Sequence, residues 1–233
     1  MSLLDSPRFS PGFALVISLL TFVLWCVMSV APLIHLVEEG QLVENLTLVA
    51  YAITLLSLLV LPLDGVRWST RLAIGIALLA MMAREADLHK YIDHMSMLKL
   101  RFWTGSLPAL DKLYALLSLA PIAIACLYLV IRYSRPLLRD IVAHKSYATT
   151  VATFVALIFI TNILDRSLGE FKETLGWHAP LWLVALQTSQ KEFLELLLPV
   201  LALTAALQYR RQTRAERAAY ALDVPSRIEL SRQ

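Results

Sequence analysis

The side chains of this chain with most capacity for chemistry lie at the ends of apolar blocks. Residues 84–94 include Arg84, Glu85, Asp87, His89, Asp93 and His94. Glu85 and His89 are four apart, and His89 and Asp93 repeat the interval, so the three share a face of any helix that persists through them. Carboxylate and imidazole together suit a divalent metal such as zinc. A carboxylate that orients a histidine suits general-base work equally well. The plainer use of the same residues is a salt-bridged helix end at a membrane interface. Farther along, Asn162 and Asp165 are three apart, as are Glu192 and Glu195, while Glu44 opens another apolar block. The candidates are therefore Glu85, His89 and Asp165 as catalytic groups, and Glu85, His89, Glu192 and Glu195 as metal ligands. Arg84 is the candidate for holding an anionic headgroup. Glu44, Asn162, Asp87, Asp93 and His94 complete the set.

The elements that must position these groups are membrane helices. Apolar residues make up 58% of the chain and charged ones 17%, far from the balance of a soluble domain. A helix needs about 20 mostly apolar residues to cross the hydrocarbon core. Six segments meet or approach that length: 13–33, 46–63, 71–88, 111–131, 147–165 and 190–208. The expectation is an all-α bundle of six transmembrane helices over residues 1–208. A basic helical tail over 209–233 would follow, its end disordered from near Pro225. The third segment is the weakest, because only 12 uncharged residues precede Arg84. The apolar run 13–33 is too long for a signal peptide core and lacks a cleavage site, so it reads as a retained first helix.

Basic residues orient such a bundle. Arg8, Arg67, Arg71, Arg132, Arg135, Arg139, Lys145 and the tail arginines fall on one side, while 34–45 holds acids and no base. Lys90, Lys99 and Arg101 in 89–110 run against the trend. The reading is a multi-pass protein of a bacterial inner membrane with both termini in the cytoplasm. The aromatic stretches within 89–107 and 176–187 could then lie flat on the outer leaflet. Depth follows from the rise of about 1.5 Å per residue. Arg84 lies about 20 Å along its helix from Arg71, and Glu195 about 22 Å from Arg210. The hydrocarbon core is about 30 Å thick, so these groups sit below the outer headgroups. Ionisable groups at that depth cost a few kcal/mol each and face the bundle interior.

Other chemistries find no foothold. A net charge of +3 without a basic, aromatic-interleaved surface excludes nucleic acid as a partner. There is no phosphate loop, nucleophile elbow or HExxH motif. His35, His89, His94 and His178 lie towards one interface and His144 towards the other, which does not suit bis-histidine haem. Cys26 and Cys126 sit singly in apolar blocks, as packing residues do.

Three short patterns resemble a group of uncharacterised bacterial multi-helix inner-membrane proteins. They are Glu38-Glu39-Gly40-x3-Glu44 opening the second helix, Arg84-Glu85 after the third, and Lys191-Glu192-x2-Glu195-Leu196-Leu197 opening the last. That group has a Glu-Glu pair after its third helix, where this chain has one Glu85 followed by Asp87 and His89. The likeness covers about half the chain and implies a membrane bundle with an acidic site, without an activity. A more distant likeness is to the alkaline ceramidase-like membrane hydrolases. It implies a catalytic zinc held by histidines, for which His35, His89 or His94, and His178 would be needed.

Three functions follow as expectations. The first is a metal-dependent enzyme acting at the outer leaflet on a lipid or lipid-linked group. The second is an ion- or proton-coupled transporter using the same carboxylates. The third is a structural or assembly subunit that binds an envelope protein, with the arginine-rich tail on anionic lipid.

Overall fold

The structure, a computed structural model, describes residues 3–38, 40–88, 100–105 and 108–230. Among these every regular element is helical. A short 3-10 turn, Leu3–Asp5, precedes α1 (Phe9–Val27), α2 (Val30–Val37), α3 (Leu42–Val60) and α4 (Trp68–Glu85). Then come α5 (Leu100–Thr104), α6 (Ala109–Val142), α7 (Ser146–Leu175) and α8 (Leu181–Leu230).

Several boundaries differ from the sequence expectation, each for a local reason. The segment 13–33 breaks at Met28 and Ser29, whose ψ values of 145° and 153° are extended. Pro32 has no N–H to give to the Met28 carbonyl, so a continuous helix loses a bond there. The third segment stops at Glu85, because Asp87 takes a left-handed φ of 53°. Aspartate tolerates that conformation better than most residues. α4 therefore closes at Glu85. His89, Asp93 and His94 lie outside the described residues. The fifth segment continues past Asp165 to Leu175.

The last segment departs most. Residues from Leu181 onward do not form a separate surface piece but the first turns of α8. Its backbone stays helical through Pro225 to Leu230, where disorder was expected. At 50 residues it is about 75 Å long, more than twice the hydrocarbon thickness.

Five stretches are long and apolar enough to cross a membrane: Phe9–Val27, Val30–Val60, Ala109–Val142, Ser146–Phe171 and Leu181–Tyr220. The sixth expected span, α4, has 18 residues of which Arg71, Arg84 and Glu85 are charged. α8 forms the axis of the bundle, packing against α1, α2, α3 and α7, while α4 bridges α3 to α6. Outward faces carry Leu19, Phe22, Ile53, Leu56, Leu127 and Phe159, all exposed. Such a surface is unsuited to water and matched to lipid. The interior meets at small polar residues as well as leucines. Thr21, Thr47 and Thr54 are buried, and their hydroxyls donate to the carbonyls of Ile17, Val43 and Ala50 at 2.8–2.9 Å. Self-satisfied hydroxyls let helices approach closely where lipid provides no hydrophobic drive for them to associate.

The two ends of the bundle differ in chemistry. At the arginine-rich end, Gln208 joins four segments. Its amide donates to the Leu4 carbonyl at 2.6 Å and accepts from Thr150 at 2.7 Å, and Thr150 meets Ser10 at 2.5 Å. Asp5 pairs with Arg211, Asp64 with Arg217, and Lys145 with Asp140 nearby. At the opposite end the Trp25 indole donates to the Trp182 carbonyl at 2.9 Å, and their rings lie 6.0 Å apart. Tryptophans pair apolar rings with a polar N–H and so gather where lipid meets water.

Candidate functional site

The Trp25–Trp182 end also holds a cluster of charged side chains from α4, α7 and α8. Two helices supply its centre. Arg84 and Glu85 form the last turn of α4, where a cation is favoured by the helix dipole and an anion is not. Glu85 must therefore be held by its surroundings. On α8, Lys191, Glu192 and Glu195 fall within four positions, which brings all three to one sector of the helix.

Glu195 is the deepest of them, with 3% of its surface exposed. One of its oxygens accepts from the Arg84 guanidinium at 2.7 Å, and the other lies 3.8 Å from the Lys191 ammonium. Lys191 also reaches Glu192 at 3.2 Å and Asp165 of α7 at 3.3 Å. Glu85, Glu192 and Glu195 each place one carboxylate oxygen within 4.8 Å of the others. Four carboxylates thus surround two cations, Arg84 and Lys191, a formal excess of two negative charges among the described residues. Such an excess is costly in a low dielectric unless a cation or protons offset it.

The expected site residues divide clearly. Glu85, Asp165, Glu192, Glu195 and Arg84 come together. Arg84 does so as the partner of Glu195, which commits part of its guanidinium to the protein instead of a headgroup. Asp165 is half exposed and touches the cluster through Lys191. Glu44 serves the turn before α3, where its carboxylate accepts from the Gly40 amide at 2.6 Å. Gly40 has φ +79°, a conformation that glycine adopts without strain. The side chain of Asn162 donates to the Ile158 carbonyl of its own helix at 2.7 Å. Asp87 ends α4. His35 and His178, needed for a histidine trio, are both exposed.

Two contributors escaped the sequence reading. Lys191 entered only as part of a motif, yet it touches three of the four acids. The signal was its spacing: a lysine beside Glu192 and four before Glu195, in a stretch where basic residues are otherwise scarce. Pro199 is the other. It lies four residues after Glu195 and has no N–H for the Glu195 carbonyl, which loses its usual helical partner. The Pro199 carbonyl lies 3.0 Å from the Thr54 hydroxyl, whose one hydrogen it shares with the Ala50 carbonyl.

Below the acids the bundle turns apolar. Leu78, Leu157, Leu197, Leu198 and Leu201 are buried in one cluster with Tyr51, which brings a phenolic hydroxyl among them. Set against family models, curated proteins and solved structures, the chain matches none of them.

Proposed function

We propose that this is a six-helix protein of a bacterial inner membrane, with α4 as the sixth span and both termini in the cytoplasm. Its Glu85, Glu192 and Glu195 take up one divalent cation near the periplasmic face. The site then acts at the outer leaflet on a lipid or lipid-linked substrate. The observation that carries the reading is the convergence of three glutamate oxygens from two helices within 4.8 Å. The excess of two negative charges around them matches the charge of one such ion. An all-oxygen donor set favours magnesium, calcium or manganese, and a histidine from outside the described residues would be needed to favour zinc.

In this role the chain's own residues have distinct tasks. Arg84 holds one oxygen of Glu195 and fixes its rotamer. Lys191 competes with the ion for Glu192 and Glu195, and its displacement towards Asp165 would open the place the ion takes. Asp165, half exposed, is the group best placed to move a proton to or from solvent.

The ion-coupled transporter is the second reading, because Lys191 already sits among three carboxylates as a built-in exchangeable cation. Metal analysis of the purified protein separates the two. The enzyme reading expects about one divalent ion per chain, lost in Glu85→Gln and Glu192→Gln variants that still fold. Absence of bound metal, together with ion-dependent uptake into liposomes that these variants abolish, would establish the transporter instead.

A further inference from the structure

A shallow, open strip runs along the outward face of α7, formed by Phe159, Asn162, Ile163, Arg166, Ser167 and Glu170. It lies on the lipid-facing side, and its residues take no part in the glutamate cluster. Phe159 and Ile163 are 66% and 67% exposed, so one end of the strip is open apolar surface. Arg166 and Glu170 are exposed at the other end, and neither makes an ion pair with a described residue.

The order of these residues matches the anatomy of one class of lipid. Arg166 lies 20 residues beyond Ser146, about 30 Å along the helix, which is the thickness of the hydrocarbon core. With Ser146 at the arginine-rich interface, Arg166 falls at the level of the opposite phosphates. Trp177, stacked edge-on against Phe171 at 6.4 Å, marks the same interface. Glu170 is one turn farther out, about 6 Å along the axis. From the membrane interior outwards, α7 therefore presents apolar rings and branches, then a cation, then an anion. A phosphoethanolamine lipid presents acyl chain, then phosphate, then ammonium.

We propose that this face of α7 seats one phospholipid whose headgroup carries a phosphate and a primary ammonium. The acyl chain lies on Phe159 and Ile163, the guanidinium of Arg166 pairs with the phosphate, and Glu170 accepts from the ammonium. An anionic lipid without an amine satisfies Arg166 but faces Glu170 across like charge. A quaternary ammonium has no N–H for Glu170 to accept. The inference rests on α7 crossing a bilayer and not on the cation site, so its failure leaves the metal reading untouched.

Native mass spectrometry tests it on the full chain, released from mild detergent with equal amounts of phosphatidylethanolamine, phosphatidylcholine and phosphatidylglycerol of one acyl composition. The ethanolamine lipid should be retained about fivefold over each of the others, the scale of one well-placed exposed ion pair. Glu170→Gln should reduce it to the level of the choline lipid, and Arg166→Gln should weaken retention of all three lipids, since each carries the phosphate. Both side chains point away from the bundle, so the variants should keep the wild-type gel-filtration profile. Should either perturb it, Arg166→Ala and Glu170→Ala take their place. Equal retention of all three lipids, or an ethanolamine preference that survives Glu170→Gln, overturns the proposal.

Discussion

Glu195 is held between two cations of different reach. Arg84 binds it head-on at 2.7 Å, whereas Lys191 stands 3.8 Å away and divides its charge among three acids. Removing Arg84 leaves a buried carboxylate with its weaker partner alone. Arg84→Ala should therefore destabilise the protein by about 2–3 kcal/mol, less than for a fully buried pair because the guanidinium is partly exposed. The double variant Arg84→Ala/Glu195→Ala should be less damaged than the two single losses added together, as thermal unfolding in detergent can measure. Simple additivity would show that the two side chains do not act as a pair. Gln208 gives a contrasting case far from the acids. Thr150→Val deprives its carbonyl oxygen of the hydroxyl donor and should cost about 1–2 kcal/mol while leaving metal content unchanged. The acids and Arg84 were legible in the sequence because charge in an apolar block is conspicuous. The tasks of Glu44 and Asn162 were not, since each is decided by a backbone group within a few residues in the folded turn or helix.

Elements show the same division between what spacing conveys and what backbone geometry decides. The apolar blocks were visible from composition, but their limits depended on single residues. Pro32 splits the first block, and the left-handed Asp87 ends α4 before His89. The interval of four from Glu85 to His89 suggested a shared face, and His89 lies outside the described residues. α7 and α8 ran longer than hydropathy implied, because polar residues beyond the lipid remain good helix formers. The turn between α2 and α3 offers a direct test. Gly40 has φ +79° with open space where a side chain would go, so only backbone strain opposes substitution. Gly40→Ala should lower stability by about 1–2 kcal/mol, seen as a fall in the unfolding temperature. An unchanged unfolding temperature would mean that the turn can relax without cost.

At the scale of the molecule, the assignment of α4 decides the topology. Five helical stretches qualify as spans by length and apolarity, and an odd number would put the termini on opposite sides. With α4 as the sixth, both termini share a side. Replacing Cys26 and Cys126 and then placing single cysteines at Ser2 and Ser231 allows this to be read by impermeant thiol labelling of intact cells. Both positions should resist labelling until the cells are opened, whereas a cysteine at His178 should react at once. Labelling of one terminus alone would remove α4 from the membrane and with it the depth assigned to Arg84 and Glu85.

The central claim is that three glutamates from α4 and α8 converge to hold one divalent cation. Manganese is the direct probe, because its anomalous scattering locates it in a crystal without prior assumptions. The account expects a single peak bonded at about 2.0–2.6 Å to carboxylate oxygens of Glu85, Glu192 and Glu195, with the Lys191 ammonium moved towards Asp165. A manganese-soaked crystal with no peak among those oxygens, and with Lys191 still bridging Glu192 and Glu195, would contradict it.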